Sequence, residues 1–432
     1  MTPTPARIAA LETLRATRRG ELADRALFSA LTAVPARDRG WTQELAYGTF
    51  RLRGRLDHLI ATHVRGGLDR VDDDVLDILR LGAYQLVEMA SVPPYAAVSE
   101  SVELARSSGN ARATGFVNGV LQSLARAPDR TDFPALENDA PGYLATWGSH
   151  PPWLVSRWIG RLGEAGAAAL VAANLRRPQL YLRPVRTDVA AAVHALTAAG
   201  MQVEPVDGAP DAVRVIEGSV VEALAAGPAI VQDPAAGLVA RFVDPAPGAT
   251  VLDLCAAPGG KAVALADFGA HVIAADRSIE RTGRLAANVR RLPPLPIDVV
   301  VADARRPAVP VADVVLLDAP CTGTGTFRRH PDGKWRVEPA DLASLVALQC
   351  DLLRSAAAVT APGGLLVYAT CSLEPEENEA QVDRFLEETP EFTLEPGTAV
   401  DARWLDPLGR LRVLPHESGW DGAFAARLRR SG

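Results

Sequence analysis

Lysine is nearly missing from this chain. Of its 45 basic residues only Lys261 and Lys334 are lysine, and the rest are arginine. A coding bias toward Ala, Gly, Pro and Arg explains much of that. Two lysines that survive it mark places where a planar guanidinium does not replace a compact ammonium. Cysteine is almost as scarce: four residues, Cys255, Cys321, Cys350 and Cys371, with none in the first half. No CxxC pair occurs, which excludes a disulfide framework and a zinc site, so no metal is expected. No uninterrupted apolar run approaches the roughly 18 residues that span a bilayer, and MTPTPARIAALETLRATRRG lacks the order of a secretory signal. A reducing cytoplasm is the expected compartment, with no membrane partner. The net charge of −7 does not advertise a nucleic-acid binder, although a local basic patch is what meets phosphate.

What is present is a chain of 432 residues, long enough for about three domains. Residues 1–128 carry apolar residues at i, i+3, i+4 spacing in IAALETLRAT, RALFSAL, TQELAYGTFRLRGRLDHLIATHV, DDVLDILRLGAYQLVEM, AVSESVELAR and TGFVNGVLQSLAR. That predicts a helical unit, in which the arginines of RLRGR (51–55) are either phosphate contacts or a solvated face. The proline-rich RAPDRTDFPALENDAPG reads as a linker. Residues 140–240 then give further helices and a small β-α-β pattern. From 241 to 432 the texture becomes strand-then-helix: TVLDLC, HVIAAD, DVVVAD, DVVLLD and GLLVYAT. Such alternation predicts a parallel sheet with helices on both faces, whose ligand lies beyond the carboxyl ends of the strands.

Those strand ends carry the chemistry. VLDLCAAPGGK is a strand, a Pro-Gly turn and a helix start. Gly259 and Gly260 allow a ligand close to the backbone, and the helix end suits an anionic group. Asp276, on the second strand, is placed to accept from ribose hydroxyls, and Asp303, on the third, from an adenine amino group. Each alone is equally a surface acid or a helix cap. Three in succession, Asp253 on the first strand with Asp276 and Asp303, favour a nucleoside cofactor without a pyrophosphate, and S-adenosylmethionine fits that description. The fourth strand leads through Asp318, Ala319 and Pro320 into Cys321. Beyond it Arg328, Arg329, His330, Lys334, Trp335 and Arg336 mix cations with an aromatic, as a phosphate backbone and a stacked base require. The fifth ends in Thr370-Cys371, after which Glu374, Glu376, Glu377 and Glu379 read as a helix N-terminus.

Two cysteines beside a methyl donor point to pyrimidine carbon 5. That carbon is a poor nucleophile until a thiolate adds at carbon 6. Asp318 is the candidate partner for the ring. By position alone, on a turn after proline and next to Asp318, Cys321 is the favoured nucleophile.

VLDLCAAPGGK, DRSIERTGRLAANVRRL, VVADAR, DAPCTGTGTFRRHPDGKW, YATCSLEPEENE and the terminal LRVLPHESGWDGAFAARLRR resemble the RNA 5-methylcytosine methyltransferases of the Sun/RsmB type. LAYGTFRLRGRLDHLI, DILRLGAYQLVEM and FVNGVLQSLAR resemble a NusB-type RNA-binding domain. Together they are similar to the bacterial family acting on small-subunit (16S) rRNA. The resemblance implies three parts. An all-α NusB-like domain (1–128) precedes a small α+β ferredoxin-like or RRM-like region (140–240), followed by a Rossmann-like α/β methyltransferase domain with a mainly parallel sheet (241–432). It implies S-adenosylmethionine held by Cys255, Ala256, Ala257, Pro258, Gly259, Gly260, Lys261, Asp276, Asp303 and Asp318. It also moves the attack to Cys371 and gives Cys321 the release of product. Ala262 and Thr322 depart from the family, which more often has a hydroxyl residue and Ser there. RNA is the expected partner, DNA is not, and a monomer is expected. The same reaction on tRNA, and a non-catalytic RNA-binding or ribosome-assembly factor, stay open as alternatives.

Overall fold

Helical stripes of the N-terminal region bury one face each. In the computed structural model, which describes residues 2–126 and 132–432, they form one unit from Met1–Arg176 together with Phe327–Arg336. Its helices run Pro5–Arg18, Ala23–Ala30, Arg39–Arg51, Arg53–Ala61, Asp73–Glu88, Pro94–Ser107, Thr114–Arg126, Ala140–Thr146 and Pro152–Leu175. Leu11, Leu45, Leu56, Ile60, Ile78 and Leu79 are fully buried at the centre, each contributing about 1.5–3 kcal/mol by leaving water. Pro5, Pro94 and Pro152 open three of these helices, where the missing N–H has no partner to lose. Gly48 permits close helix packing, since a Cβ there would lie 2.0 Å from the Tyr84 ring.

Two features differ from the sequence reading. TQELAYGTFRLRGRLDHLIATHV is two helices, because Leu52 leaves helical geometry (φ −105°, ψ 14°); the break lets Leu52 and Leu56 both bury. Helix Pro152–Leu175 groups with this first unit, where Trp158 packs 5.5 Å from His150 and 6.3 Å from Phe327. The expected linker falls partly on residues 127–131, and the expected boundary at 128 lies there too, outside the described residues.

The second unit comprises Arg177–Thr326 and Val337–Gly432. It begins with a four-stranded antiparallel sheet, β1 (Leu180–Pro184), β2 (Gln202–Pro205), β3 (Val213–Glu217) and β4 (Ala229–Val231), in the order β2-β3-β1-β4. Helices Val189–Ala198 and Val220–Ala226 complete it. The larger sheet contains β5 (Thr250–Asp253), β6 (His271–Asp276), β7 (Ile297–Val301), β8 (Ala312–Asp318) and β9 (Thr360–Thr370). To these are added β10 (Phe392–Glu395), β11 (Leu411–Val413) and β12 (Ala423–Arg430). The order is β10-β12-β9-β8-β5-β6-β7, with β11 on β12. β5 to β9 are parallel, while β10, β11 and β12 pair antiparallel. All five predicted strands are present, and the last three were not predicted.

Strand order reverses between β5 and β8, so the crevice beyond their carboxyl ends is where a parallel sheet takes its ligand. Helix Pro339–Val359 is long and apolar enough to cross a membrane by length and composition, which a search for uninterrupted apolar runs does not detect. Here it lays Leu352, Leu353 and Ala356 on the face of β8 and β9 and leaves Asp341, Asp351 and Arg354 exposed.

Candidate active site

The turn between β5 and the helix Gly260–Asp267 is built by residues with special backbones. Ala257–Pro258 is cis and Gly259 has φ +107°. A Cβ on Gly260 would come within 3.0 Å of the Gln232 amide. Asn288 donates to the Pro258 carbonyl at 2.9 Å, and Ala256 N–H to the Ala275 carbonyl at 2.9 Å. The loop therefore edges a cleft of about 240 Å³, lined in part by Leu254, Cys255, Ala257, Asp276, Asp303 and Asp318. Five of the ten expected cofactor residues thus line one cavity, while Ala256, Pro258, Gly259, Gly260 and Lys261 shape or support its wall.

The acids differ in state. Asp276 is buried, accepting from Ser278 N–H at 2.9 Å and pairing with Arg281 at 3.0 Å. Arg281 also reaches the Ala257 carbonyl at 3.2 Å. Asp303 stands two residues beyond β7 and is gripped by Arg305 at 2.6 Å, which holds its pKa down to about 2. Asp253 is buried, and among the described residues neither of its oxygens has a hydrogen bond of normal geometry. Burial first, then the Asp318 charge, push its pKa up to about 7. Burial also pushes the Cys255 thiol up to about 12, so it keeps its proton at neutral pH. These groups fit a nucleoside bearing an amino-acid end: a buried acid for a ribose, a paired acid for an amino group, and a loop shaped by glycines.

Lys261 donates to Asp318 at 2.6 Å. Burial opposes the ammonium, but the Asp318 carboxylate and the neighbouring Cys371 outweigh it, so the Lys261 pKa is raised. In this bond Asp318 is the acceptor. Its second oxygen takes no hydrogen bond among the described residues.

β8 and β9 run side by side with Asp318 opposite Ala369. Each strand turns off after that point and brings Cys321 and Cys371 together, with their sulfurs 3.4 Å apart. Both line the cleft. The hydrogen bond to Cys371, with burial added, raises the Cys321 pKa well above that of an ordinary thiol. Cys321 therefore keeps its proton at neutral pH, which counts against the attacking role that position alone favoured. Cys350 lies apart on helix Pro339–Val359 and meets Gln381 at 3.1 Å.

Of the acids after Cys371 only Glu379 stands at a helix N-terminus, because the helix begins there; Glu374, Glu376 and Glu377 precede it. Glu374 and Glu377 are buried. Sequence reading missed this supporting layer, and the available signal was an acid-rich stretch broken by Pro375 directly beside a candidate thiol.

The six residues expected to meet RNA are divided by the structure. Lys334 is 1 % exposed and donates to the Arg51 carbonyl at 2.8 Å. Trp335 donates to the Phe50 carbonyl at 2.7 Å and lies under Arg53. Arg328 is buried. Lys334 and half-buried Trp335 are corrected from RNA contacts to anchors within the helical unit by these bonds, and Arg328 is corrected because a side chain out of water does not meet phosphate. Arg329, His330 and Arg336 keep exposed surface. The carbonyls of Phe50 and Arg51 that receive the anchors belong to the helix end opened by the break at Leu52.

Burial, with Arg51 and Arg55 nearby, lowers the Lys334 pKa well below the usual lysine value. A lowered pKa means the unfolded chain binds more protons. This contribution is fully present above about pH 10.4, and is lost as pH falls through the folded value. Lys334→Met should therefore flatten the rise of stability across alkaline pH. Lys334→Arg, which overpacks the site and cannot shed its charge, should cost about 3 kcal/mol. Denaturant melts of the full chain at several pH values check both.

Comparison with known proteins adds the following. A family model described as 16S rRNA methyltransferase RsmB/F matches residues 240–429. A NusB family model matches 4–126, and a ferredoxin-like domain model of RsmF/B-like methyltransferases matches 150–222. The ribosomal RNA small subunit methyltransferase B of Salmonella arizonae is 37 % identical over 407 residues, covering 91 % of each chain. A Bacillus subtilis protein named probable ribosomal RNA small subunit methyltransferase B is 34 % identical over 412 residues, again covering 91 % of each. The solved structure of PH0851 superposes with a TM-score of 0.82 at 27 % identity and covers 100 % of both chains.

Proposed function

Because this chain belongs to the 16S rRNA methyltransferase RsmB/F family and is an S-adenosylmethionine-dependent RNA methyltransferase, we propose that it methylates carbon 5 of a cytidine in small-subunit rRNA through a covalent adduct on Cys371. The carrying observation is the pair of thiols 3.4 Å apart in the cofactor cleft, beside the Lys261–Asp318 ion pair.

The loop Cys255–Lys261 with Asp276, Asp303 and Asp318 would hold S-adenosylmethionine, which supplies a sulfonium-bound methyl group as electrophile. Cys371 adds as thiolate to carbon 6 of the cytosine, forming a C–S bond and making carbon 5 nucleophilic. The ammonium of Lys261 is close enough to Cys371 for the two to interact electrostatically. Asp318 offers its second oxygen to the exocyclic amine of the base, and Lys261 offsets charge developing on the ring. Once carbon 5 is methylated, a base removes its proton, the electrons re-form the C5–C6 double bond, and the Cys371 sulfur leaves. Cys321, which retains its proton, is placed to protonate that departing sulfur. Arg329, His330 and Arg336 are the remaining RNA-facing candidates on their segment. Free thiols at all four cysteines suit a cytoplasmic setting.

Bisulfite sequencing of RNA from cells lacking the gene tests the reading. One 5-methylcytosine should vanish from 16S rRNA and return with the wild-type gene. Loss from a tRNA instead would overturn the substrate, and no lost 5-methylcytosine would overturn the reaction.

A further inference from the structure

We infer that Glu377 is the positioning residue that holds Cys321 against Cys371, an inference whose catalytic consequence rests on the function proposed above. Glu377 has no exposed surface, and a buried carboxylate is costly unless its acceptor sites are filled. Here they are filled by the loop carrying Cys321. Oε1 accepts from Thr322 N–H at 2.9 Å and from Gln349 Nε2 at 3.0 Å, and Oε2 accepts from the Thr322 hydroxyl at 2.5 Å. Gln349, also fully buried, donates in addition to the Pro320 carbonyl at 2.9 Å. The peptide groups on both sides of Cys321 are thus tied, directly or through Gln349, to one carboxylate.

The other thiol is tied to the same short stretch. Ser372 Oγ lies 3.1 Å from the Thr322 hydroxyl and accepts from Glu374 N–H at 3.0 Å. Asn378, next to Glu377, donates to the Ser372 carbonyl at 2.9 Å and accepts from the Thr370 hydroxyl at 2.5 Å. Thr370 and Ser372 flank Cys371, and the Cys371 carbonyl accepts from Gly325 N–H at 3.0 Å. Residues 374–378 therefore act as a strut between two loops that leave adjacent strands. Two loops without such a strut would be free to splay, and a thiol displaced by about 1 Å is a poor proton donor to its partner. The Tyr368 hydroxyl, donating to the Glu377 carbonyl at 2.7 Å, fixes the strut on β9.

Glu377→Ala leaves three donors without their acceptor. Glu377→Gln keeps one oxygen for Thr322 N–H and Gln349, and its amide can donate to the Thr322 hydroxyl, which then turns its proton to Ser372. Thr322→Val removes only the hydroxyl's two bonds, to Glu377 and to Ser372, and guards against a Glu377→Ala protein that fails to fold. Two readouts separate the inference from the function beneath it. The first is bridging of the two thiols by phenylarsine oxide, which requires them close together. Relative to wild type, Glu377→Ala should bridge at least tenfold more slowly and Thr322→Val severalfold more slowly. Glu377→Gln should stay near wild type, with single-thiol alkylation of Cys371 unchanged throughout.

The second readout is the rate at which a covalent protein–RNA complex releases product in a single turnover. Glu377→Ala should slow release at least tenfold while the methylation step changes less. Unchanged arsenical bridging in folded Glu377→Ala and Thr322→Val would overturn the positioning role. Slowed bridging without any RNA adduct in any variant would leave the positioning role standing and sink the covalent reading. Equal losses in bridging, cofactor affinity and melting temperature for both Glu377→Ala and Glu377→Gln would assign the network to stability alone.

Discussion

Cys371→Ala is expected to abolish methyl transfer, by on the order of 10⁴-fold or more, as loss of a covalent nucleophile does, and to abolish capture of RNA on the protein. Cys321→Ala is expected to do the opposite to capture: the adduct forms but is released slowly, and a denaturation-resistant protein–RNA band accumulates. The asymmetry follows from the site. The two sulfurs are 3.4 Å apart, yet Cys321 is held as a neutral thiol by its hydrogen bond to Cys371 and by burial. A protonated thiol is a poor nucleophile and a usable acid. Denaturing gels with labelled rRNA fragments, run beside a filter assay for transferred methyl, read both variants. A band with Cys371→Ala and none with Cys321→Ala would exchange the roles. No band with either, in folded protein that still transfers methyl, would remove the covalent mechanism.

The second large effect is expected at the ion pair. Asp318→Ala should lower kcat/KM by roughly 10²–10⁴-fold, the range for a group that orients a reacting base and shares its charge. Lys261→Met should fall in the same range, because it leaves the Asp318 carboxylate without its 2.6 Å partner and Cys371 without its neighbouring cation. Lys261→Arg should not rescue, since a guanidinium has neither the size nor the point charge of the ammonium. The pH dependence separates this pair from the thiols. The Lys261 pKa is raised above its ordinary value, so its contribution to stability is complete below about pH 10.4. That contribution is lost only as pH rises through the still higher folded value. Activity lost between pH 6 and 9 is therefore not titration of Lys261. A double-mutant cycle on Lys261 and Asp318, by kcat/KM, should give strong coupling, and additive losses would show that the two act separately.

The scarcity of lysine proved informative in a way that composition alone could not complete. Half-buried Lys261 sets its ammonium on a carboxylate, and buried Lys334 sets its amino group on a backbone carbonyl. Sequence pattern put both inside motifs but sent Lys334 to RNA, because a cation-rich loop with a tryptophan reads as a phosphate and base contact. The loop is instead largely an anchor. Periodicity cannot reveal which carbonyls lie free at the end of a distant helix, here those of Phe50 and Arg51.

Five strands, their alternation with helices, and the acids at or just beyond their ends were legible because each is local. A strand followed by a glycine turn and a helix leaves its mark within some twenty residues. β10, β11 and β12 were not legible, since their meaning comes from antiparallel pairing with one another and with β9. The partners of the acids were hidden for a different reason: Arg281 and Arg305 lie close in sequence to Asp276 and Asp303, but which way each side chain turns depends on how its loop folds.

By itself, then, the sequence determined the kind of sheet, the place of its crevice, a nucleoside cofactor, and two thiols as the candidate reactive groups. Only the tertiary structure decided that those thiols meet, that Cys321 keeps its proton, and that Glu377 belongs to their support. The physical reason is that protonation state and distance depend on groups about fifty residues apart in the chain. Burial and hydrogen bonding act on neighbours in space, and β8 and β9 become neighbours only when the sheet forms.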